Sequence, residues 1–209
     1  MTERFSKPVK FAGHKFADIQ GGEDPAAVSR LAHETAAALI ARVRAEQDPD
    51  VIDRLVTFTD EHGIDALAEL WSRATPHSLP GALWRIYLVR AMIRADAPGI
   101  ALFYQRGVQT IRTIDSVVAG AAEPTGPEEI LDVADRILRG VFTGDLAIAL
   151  DRAAAFCRVV AAGCTSIADD AEPTEPARAT DLTRRALRLT SMAGDLSASS
   201  KLWRSGGLD

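Results

Sequence analysis

Between Gly81 and Gly107 the chain reads GALWRIYLVRAMIRADAPGIALFYQRG. Trp84, Ile86, Tyr87, Leu88, Val89, Met92 and Ile93 leave little polar surface on a helix, and only Arg85, Arg90 and Arg94 interrupt them. A helix that is apolar nearly all round belongs inside a larger helical assembly. The rest of the chain is therefore expected to pack around a helix over about Gly81 to Ala95.

Composition points the same way. Aromatic residues make up only 6% of the 209 residues, while Ala and Arg are abundant. Ala, Leu, Arg and Glu favour helix, and the β-branched and aromatic residues that strands prefer are sparse. A hydrophobic fraction of 47% and a charged fraction of 25% suit a folded globular chain. The expected fold is all-α: a multi-helix bundle of about eight helices with short loops, in orthogonal or up-down packing around a buried central helix.

Start and stop signals divide the chain. Residues 1–24 read as an arm in which Arg4, Lys7, Lys10, His14 and Lys15 interleave with Phe5, Phe11 and Phe16. Such an arm either touches nucleic acid, lipid or a partner, or docks its phenylalanines on the protein's own surface. Asp24-Pro25 opens a first helix to about Glu46, with Val28, Leu31, Thr35, Ala38 and Leu39 as its inner stripe. Asp48-Pro49 repeats the signal, and Gly63 ends that second helix. A short helix from Ile64 to Arg73 follows, with Leu67, Leu70 and Trp71 inward.

Asp96-Ala97-Pro98 starts a helix ending at Gly107, and Val108 to Gly120 is read as another. Pro127 to Arg139 carries Glu128 and Glu129 in its first turn and Gly140 after its last. Asp145 to about Ile167 is long and Ala-rich. The expected organisation is an arm (1–24), a helical core (25–168), an acidic Pro-containing linker (169–179) and a C-terminal helix (180–204). Leu182, Ala186, Leu189, Ala193, Leu196, Ser200 and Trp203 alternate at spacings of four and three, a heptad seam. Leu182, Ala186, Leu189, Ala193, Leu196 and Trp203 are accordingly candidate residues for a homo-oligomeric interface, or one with another helical protein.

The chemistry of common active sites is missing from the sequence. There is no Gly-rich phosphate loop, no GxSxG, no HExxH and no CxxC. None of His14, His33, His62 and His77 has a glutamate three positions before it, so no Glu-x-x-His metal pair exists. His62 beside Asp60, Glu61, Asp65 and Glu69 is the nearest to a metal cluster, but a histidine before a terminal glycine also simply complements the helix dipole. Cys157 and Cys164 lie seven apart, roughly 10 Å along one helix, too far for a disulfide. They read as buried thiols. No cofactor and no catalytic residue is expected.

Arg90 and Arg94 lie one turn apart on the apolar helix, with Trp84, Tyr87 and Arg85 nearby. Buried guanidinium groups need carboxylates or a bound anion. They are expected to pair with acids such as Asp53, Asp65, Glu69 or Asp115. The alternative makes Arg90, Arg94, Tyr87 and Trp84 the lining of a pocket for a carboxylate or phosphate ligand. Arg184, Arg185 and Arg188 form a basic face on the last helix, balanced by Asp181 and Asp195. A net charge of -5 speaks against a dedicated nucleic-acid binder. With no apolar run of ~18 residues and no apolar leader after the basic start, the expectation is a cytoplasmic protein with no membrane span. The functional expectation is an interaction or regulatory module, with the anion-binding bundle or enzyme as the alternative.

Overall fold

The computed structural model describes residues 24–45, 65–123, 125–143 and 145–209. The basic-aromatic arm, the expected helix after Asp48-Pro49 and the clusters around His14 and His62 lie outside the described residues. Eight helices are described: α1 (Pro25–Ala45), α2 (Asp65–Ser72), α3 (Leu79–Ala95), α4 (Ala97–Thr110), α5 (Asp115–Ala119), α6 (Pro127–Thr143), α7 (Leu146–Ala171) and α8 (Pro176–Arg204). Among the described residues there is no strand. The protein is an all-α helical bundle.

Local chemistry sets most helix starts. The Asp24, Ser78, Asp96 and Asp145 side chains accept hydrogen bonds from the backbone N–H groups of Ala26, Gly81, Gly99 and Ala147. Each satisfies a donor left over in a first turn. Pro25, Pro80, Pro98, Pro127 and Pro176 all stand in first turns, where their missing N–H costs nothing. Glu129 reaches back to the Gly126 N–H at 2.8 Å and closes the start of α6.

α7 is buried over more of its length than α3. α7 packs on α3, α4, α5, α6 and α8, and α3 packs on α1, α2, α4, α6, α7 and α8. On α7, Ala153, Ala154, Ala155, Phe156, Cys157, Val159 and Val160 are all fully buried. Runs of alanine let neighbours approach a helix from several directions at once, and this surrounds α7 more completely than the larger side chains surround α3. On α3 the buried side is Leu83, Ile86, Val89, Arg90 and Ile93, while Trp84, Tyr87, Leu88 and Met92 are half-buried and Arg94 is exposed.

α7 and α8 are ~39 and ~44 Å long at 1.5 Å per residue and form an antiparallel hairpin. The acidic segment expected as a linker is mostly helix. α7 runs through Asp169 and Asp170 to Ala171, and Pro176 already begins α8. Leu182, Ala186, Leu189, Ala193 and Leu196 are buried inside the chain, at 8%, 6%, 3%, 1% and 0% exposure. The seam thus meets this chain's own core, with α7 as its main partner, where the sequence suggested a second copy. Trp203 is half-buried at its end.

Two glycines set a close crossing of α4 over α7. A Cβ on Gly163 would lie 1.8 Å from the Phe103 carbonyl oxygen, and one on Gly107 would lie 1.9 Å from that of Val159. Gly107 therefore sits within α4 and does not end it; the helix runs on to Thr110. Gly140 likewise lies inside α6, where its missing side chain admits Ala149. The expected helix over Val108–Gly120 is split, because Ile111–Ile114 leaves helical form and only Asp115–Ala119 resumes it. Asp115 is the anchor there. Its carboxylate accepts from Arg158 Nε at 2.8 Å, and Arg158 also donates to Ser197 on α8 at 3.1 Å.

Burial works to raise the Asp115 carboxyl, but hydrogen bonds from Arg158 and Thr113 and the Arg158 charge outweigh it and hold the carboxyl below its ordinary value. A folded-state value below the unfolded one stabilises fully above about pH 5 and is lost as pH falls through the folded value. Urea midpoints should therefore fall between pH 7 and pH 3, and Asp115→Asn should flatten part of that fall. Equal acid sensitivity in wild type and D115N would remove this bridge from the account.

Candidate functional site

The two arginines singled out on the apolar helix converge on α6. Arg90 Nη2 donates to Asp135 Oδ1 at 3.3 Å, and Arg94 Nη1 lies 3.9 Å from the same oxygen. Among the described contacts their shared acid is Asp135, which the sequence reading did not name. The place a ligand carboxylate would take is held by one of the protein's own. Trp84 and Tyr87 stack at 5.3 Å between centroids. Arg85 turns away from this group to α8. Its Nε and Nη2 donate to Asp195 Oδ2 at 2.9 and 2.8 Å, and His77 Nε2 lies 3.5 Å from Asp195 Oδ1. Asp195 therefore serves α3, while on the basic face of α8 Arg184 pairs with Asp181 and Arg185 lies over the Phe103 ring at 4.9 Å.

His77, Ser78 and Asp195 are residue types that also build hydrolytic triads. Ser78, however, is committed to its turn: its hydroxyl donates to the Thr75 carbonyl at 2.9 Å and accepts from Gly81 N–H. Burial pushes the Cys157 and Cys164 thiols up to about 12 and about 11, which keeps them protonated and poor nucleophiles. Among the described residues no three His, Cys, Asp or Glu side chains are grouped to hold a metal ion. None of the described helices is long and apolar enough to cross a membrane.

Among the described residues a concave surface lies along α1. The expected inner stripe of α1 is rotated: Ala32, Ala36 and Ile40 face the core, while Leu31 and Ala38 are exposed. Ala32 and Ala36, one turn apart, let α1 sit closely on its neighbours, and Ile40 continues the same side. His33, Ala37, Ile40 and Ala41 then share the adjoining stripe. They line one wall of an apolar groove of about 590 Å³, with Leu79 at its floor and Trp203 and Leu208 opposite.

The far wall comes from the end of α8. Gly206 takes a φ of 72°, in the left-handed region that favours glycine, and turns the chain back. Gly207 N–H donates to the Leu202 carbonyl at 2.8 Å, Leu208 is buried, and Leu79 N–H donates to the Asp209 carbonyl at 2.8 Å. Glu34 and Asp209, both exposed, make the rim acidic, with Arg30 only at the 4.0 Å limit of pairing with Glu34. His33, half-buried, donates its Nδ1–H to the Ser29 carbonyl at 2.7 Å. It also lines a second, smaller cavity of about 210 Å³ nearer the start of α1, bounded by Pro25, Ser29, Leu70 and Arg73.

A third cavity, of about 280 Å³, lies at the α4–α5 corner between Tyr104, Ser116, Val117 and Thr125. None of the three is lined by Trp84, Tyr87, Arg90 or Arg94. Of the groove's lining, Trp203 alone was a candidate site residue from the sequence, and for a different surface. Exposed alanines at 37 and 41 were the available signal, yet small residues on a helix equally mark a tight packing face. No family model, curated protein or solved structure matches the chain.

Proposed function

We propose that this protein is an interaction module that binds an amphipathic, basic-flanked apolar segment of another protein in the groove between α1, α3 and the end of α8. The groove itself carries this reading. An apolar concavity bordered by a few polar groups is the usual form of a recognition surface. Its contour, between a helix flank and a tryptophan, fits apolar anchors presented one turn apart. Tryptophan is also the residue most often found carrying binding energy at such surfaces. The acidic rim favours cations beside the anchors, mainly by selecting partners and speeding their arrival.

A fluorescein-labelled synthetic helix with leucines on one face and lysines beside them serves as the probe. Its anisotropy should rise on titration with the protein. Ala37→Trp, which fills the groove from an exposed position, should weaken binding at least about tenfold, a change of ~1.4 kcal/mol. Glu34→Lys should weaken it less and reduce its salt dependence. Equal affinity in wild type and A37W would refute the groove as the binding surface.

A further inference from the structure

We infer that the smaller cavity, between the start of α1 and the end of α2, is a binding site for a small organic carboxylate: a compact apolar body bearing one carboxylate, about the size of benzoate. The site needs nothing of the groove reading, and His33 is the one residue common to the two linings.

The polar groups on the cavity wall select an anion. Arg73, His33, Ser29 and Thr75 line it, and among the described residues no carboxylate does. The Arg73 guanidinium has no ion-pair or hydrogen-bond partner among the described residues, and Glu69, one turn before it, lies beyond pairing distance. The Ser29 and Thr75 hydroxyls are likewise unengaged among the described residues. His33 gives its Nδ1–H to the Ser29 carbonyl at 2.7 Å, which fixes the ring and leaves Nε2 for another contact. A guanidinium with no acid beside it attracts an anion, and its planar fork matches the two oxygens of a carboxylate.

The remaining wall selects what the carboxylate is attached to. Val28, Ala32, Leu70 and Ala74 present apolar surface. That surface contributes to binding only when the ligand brings apolar atoms to cover it, which inorganic phosphate does not. The cavity holds about 210 Å³. An apolar cavity of ~150 Å³ takes up benzene, so the space here suits a benzene-sized body with one carboxylate. Pockets for larger cofactors begin at ~300 Å³.

Both walls are held in place by the protein's own contacts. Trp71 is buried and donates its Nε1–H to Thr35 Oγ1 at 3.2 Å, pinning α2 on α1. The Ala74 N–H donates to the Trp71 carbonyl at 3.0 Å. The Thr75 carbonyl accepts from the Ser78 N–H at 3.3 Å and from the Ser78 hydroxyl at 2.9 Å. Arg73 thus leaves a turn that is already fixed, and little ordering opposes binding.

The test titrates the isotope-labelled full chain with sodium benzoate at constant ionic strength and follows backbone amide shifts by NMR. Saturable shifts are expected within residues 25–33 and 70–75, with a Kd on the order of 1 mM or tighter. Benzamide, which keeps the shape and lacks the charge, should bind at least about tenfold more weakly. Arg73→Gln changes an exposed side chain, so the fold should be kept. It should weaken benzoate at least about tenfold and leave benzamide unchanged. Shifts that do not saturate or fall elsewhere, equal affinity for benzoate and benzamide, or R73Q binding as wild type does would each overturn the site. Inorganic phosphate binding the same residues more tightly than benzoate would overturn the assignment to a carboxylate. Ala37→Trp lies outside this cavity and should leave the benzoate Kd within about twofold, so failure of the groove and failure of this site are seen separately.

Discussion

Replacing Gly163 by alanine should lower the stability of the protein by roughly 3 kcal/mol, the upper end of overpacking costs. The added methyl would lie 1.8 Å from the Phe103 carbonyl oxygen, so α4 and α7 must separate. Backbone on the opposing helix has no rotamer through which to yield, and the shift spreads along a crossing that buries Tyr104 against Phe156 at 5.6 Å. For a domain of this size the thermal midpoint should drop by about 6–12 °C.

The same change at Gly194 provides the control. A Cβ there meets nothing within 4 Å, and the position is exposed in α8. Gly194→Ala should therefore stabilise by up to ~1 kcal/mol through helix propensity alone. Calorimetry on the two variants should give shifts of opposite sign. An unchanged midpoint for G163A would show that the crossing is looser than described. Gly107→Ala acts on the same crossing, so its cost should not add to that of G163A.

The second large effect concerns the seam of α8. Leu189→Asp with Leu196→Asp places two carboxylates where exposure is now 3% and 0%. Each loses the burial of a leucine, ~1.5–3 kcal/mol, and adds an uncompensated charge whose effective penalty is several kcal/mol. Together these come to about 10 kcal/mol or more, comparable to the ~5–15 kcal/mol by which domains are usually stable. The double variant should lose most of its helical circular dichroism and appear expanded by light scattering. A folded protein that changed only in oligomeric state would show that the seam faces another copy. Arg158 and Arg204 explain why the hairpin has one register. They tie Asp115, Ser197 and Asp151 across α5, α7 and α8, and Ser200 donates to the Ala147 carbonyl of α7, where a shift of one helical turn would leave these polar groups without their present partners.

Helix starts were legible because a cap, a proline and a first-turn amide lie within four residues of one another. Asp24-Pro25, Asp96-Ala97-Pro98 and Pro127 with Glu129 all act locally, and helices begin at each of them. The seam of α8 was legible as a pattern too, since its spacing of four and three requires a facing helix. Spacing does not say whose helix. That was decided when the turn from Ala171 to Pro176 returned α8 onto α7.

The candidate groove was not legible, because every part of it depends on distant chain. Ala37 and Ala41 become a wall only once Ala32, Ala36 and Ile40 have turned inward. Trp203 faces them only because α8 has folded back along α7, and Leu208 because Gly206 reverses the chain and Asp209 meets Leu79. Gly107 and Gly140 carry the same lesson. A glycine that ends a helix and one that admits another helix are the same letter, and only the neighbour at 1.9 or 3.3 Å distinguishes them. Hydrogen bonds closed within one turn are a property of adjacent residues, so the sequence alone determined several helix starts, such as those at Pro25, Ala97 and Pro127, and that the fold is all-α. Which face is buried, which acid answers Arg90 and whether a seam is internal depend on residues tens of positions away, and tertiary packing decided them.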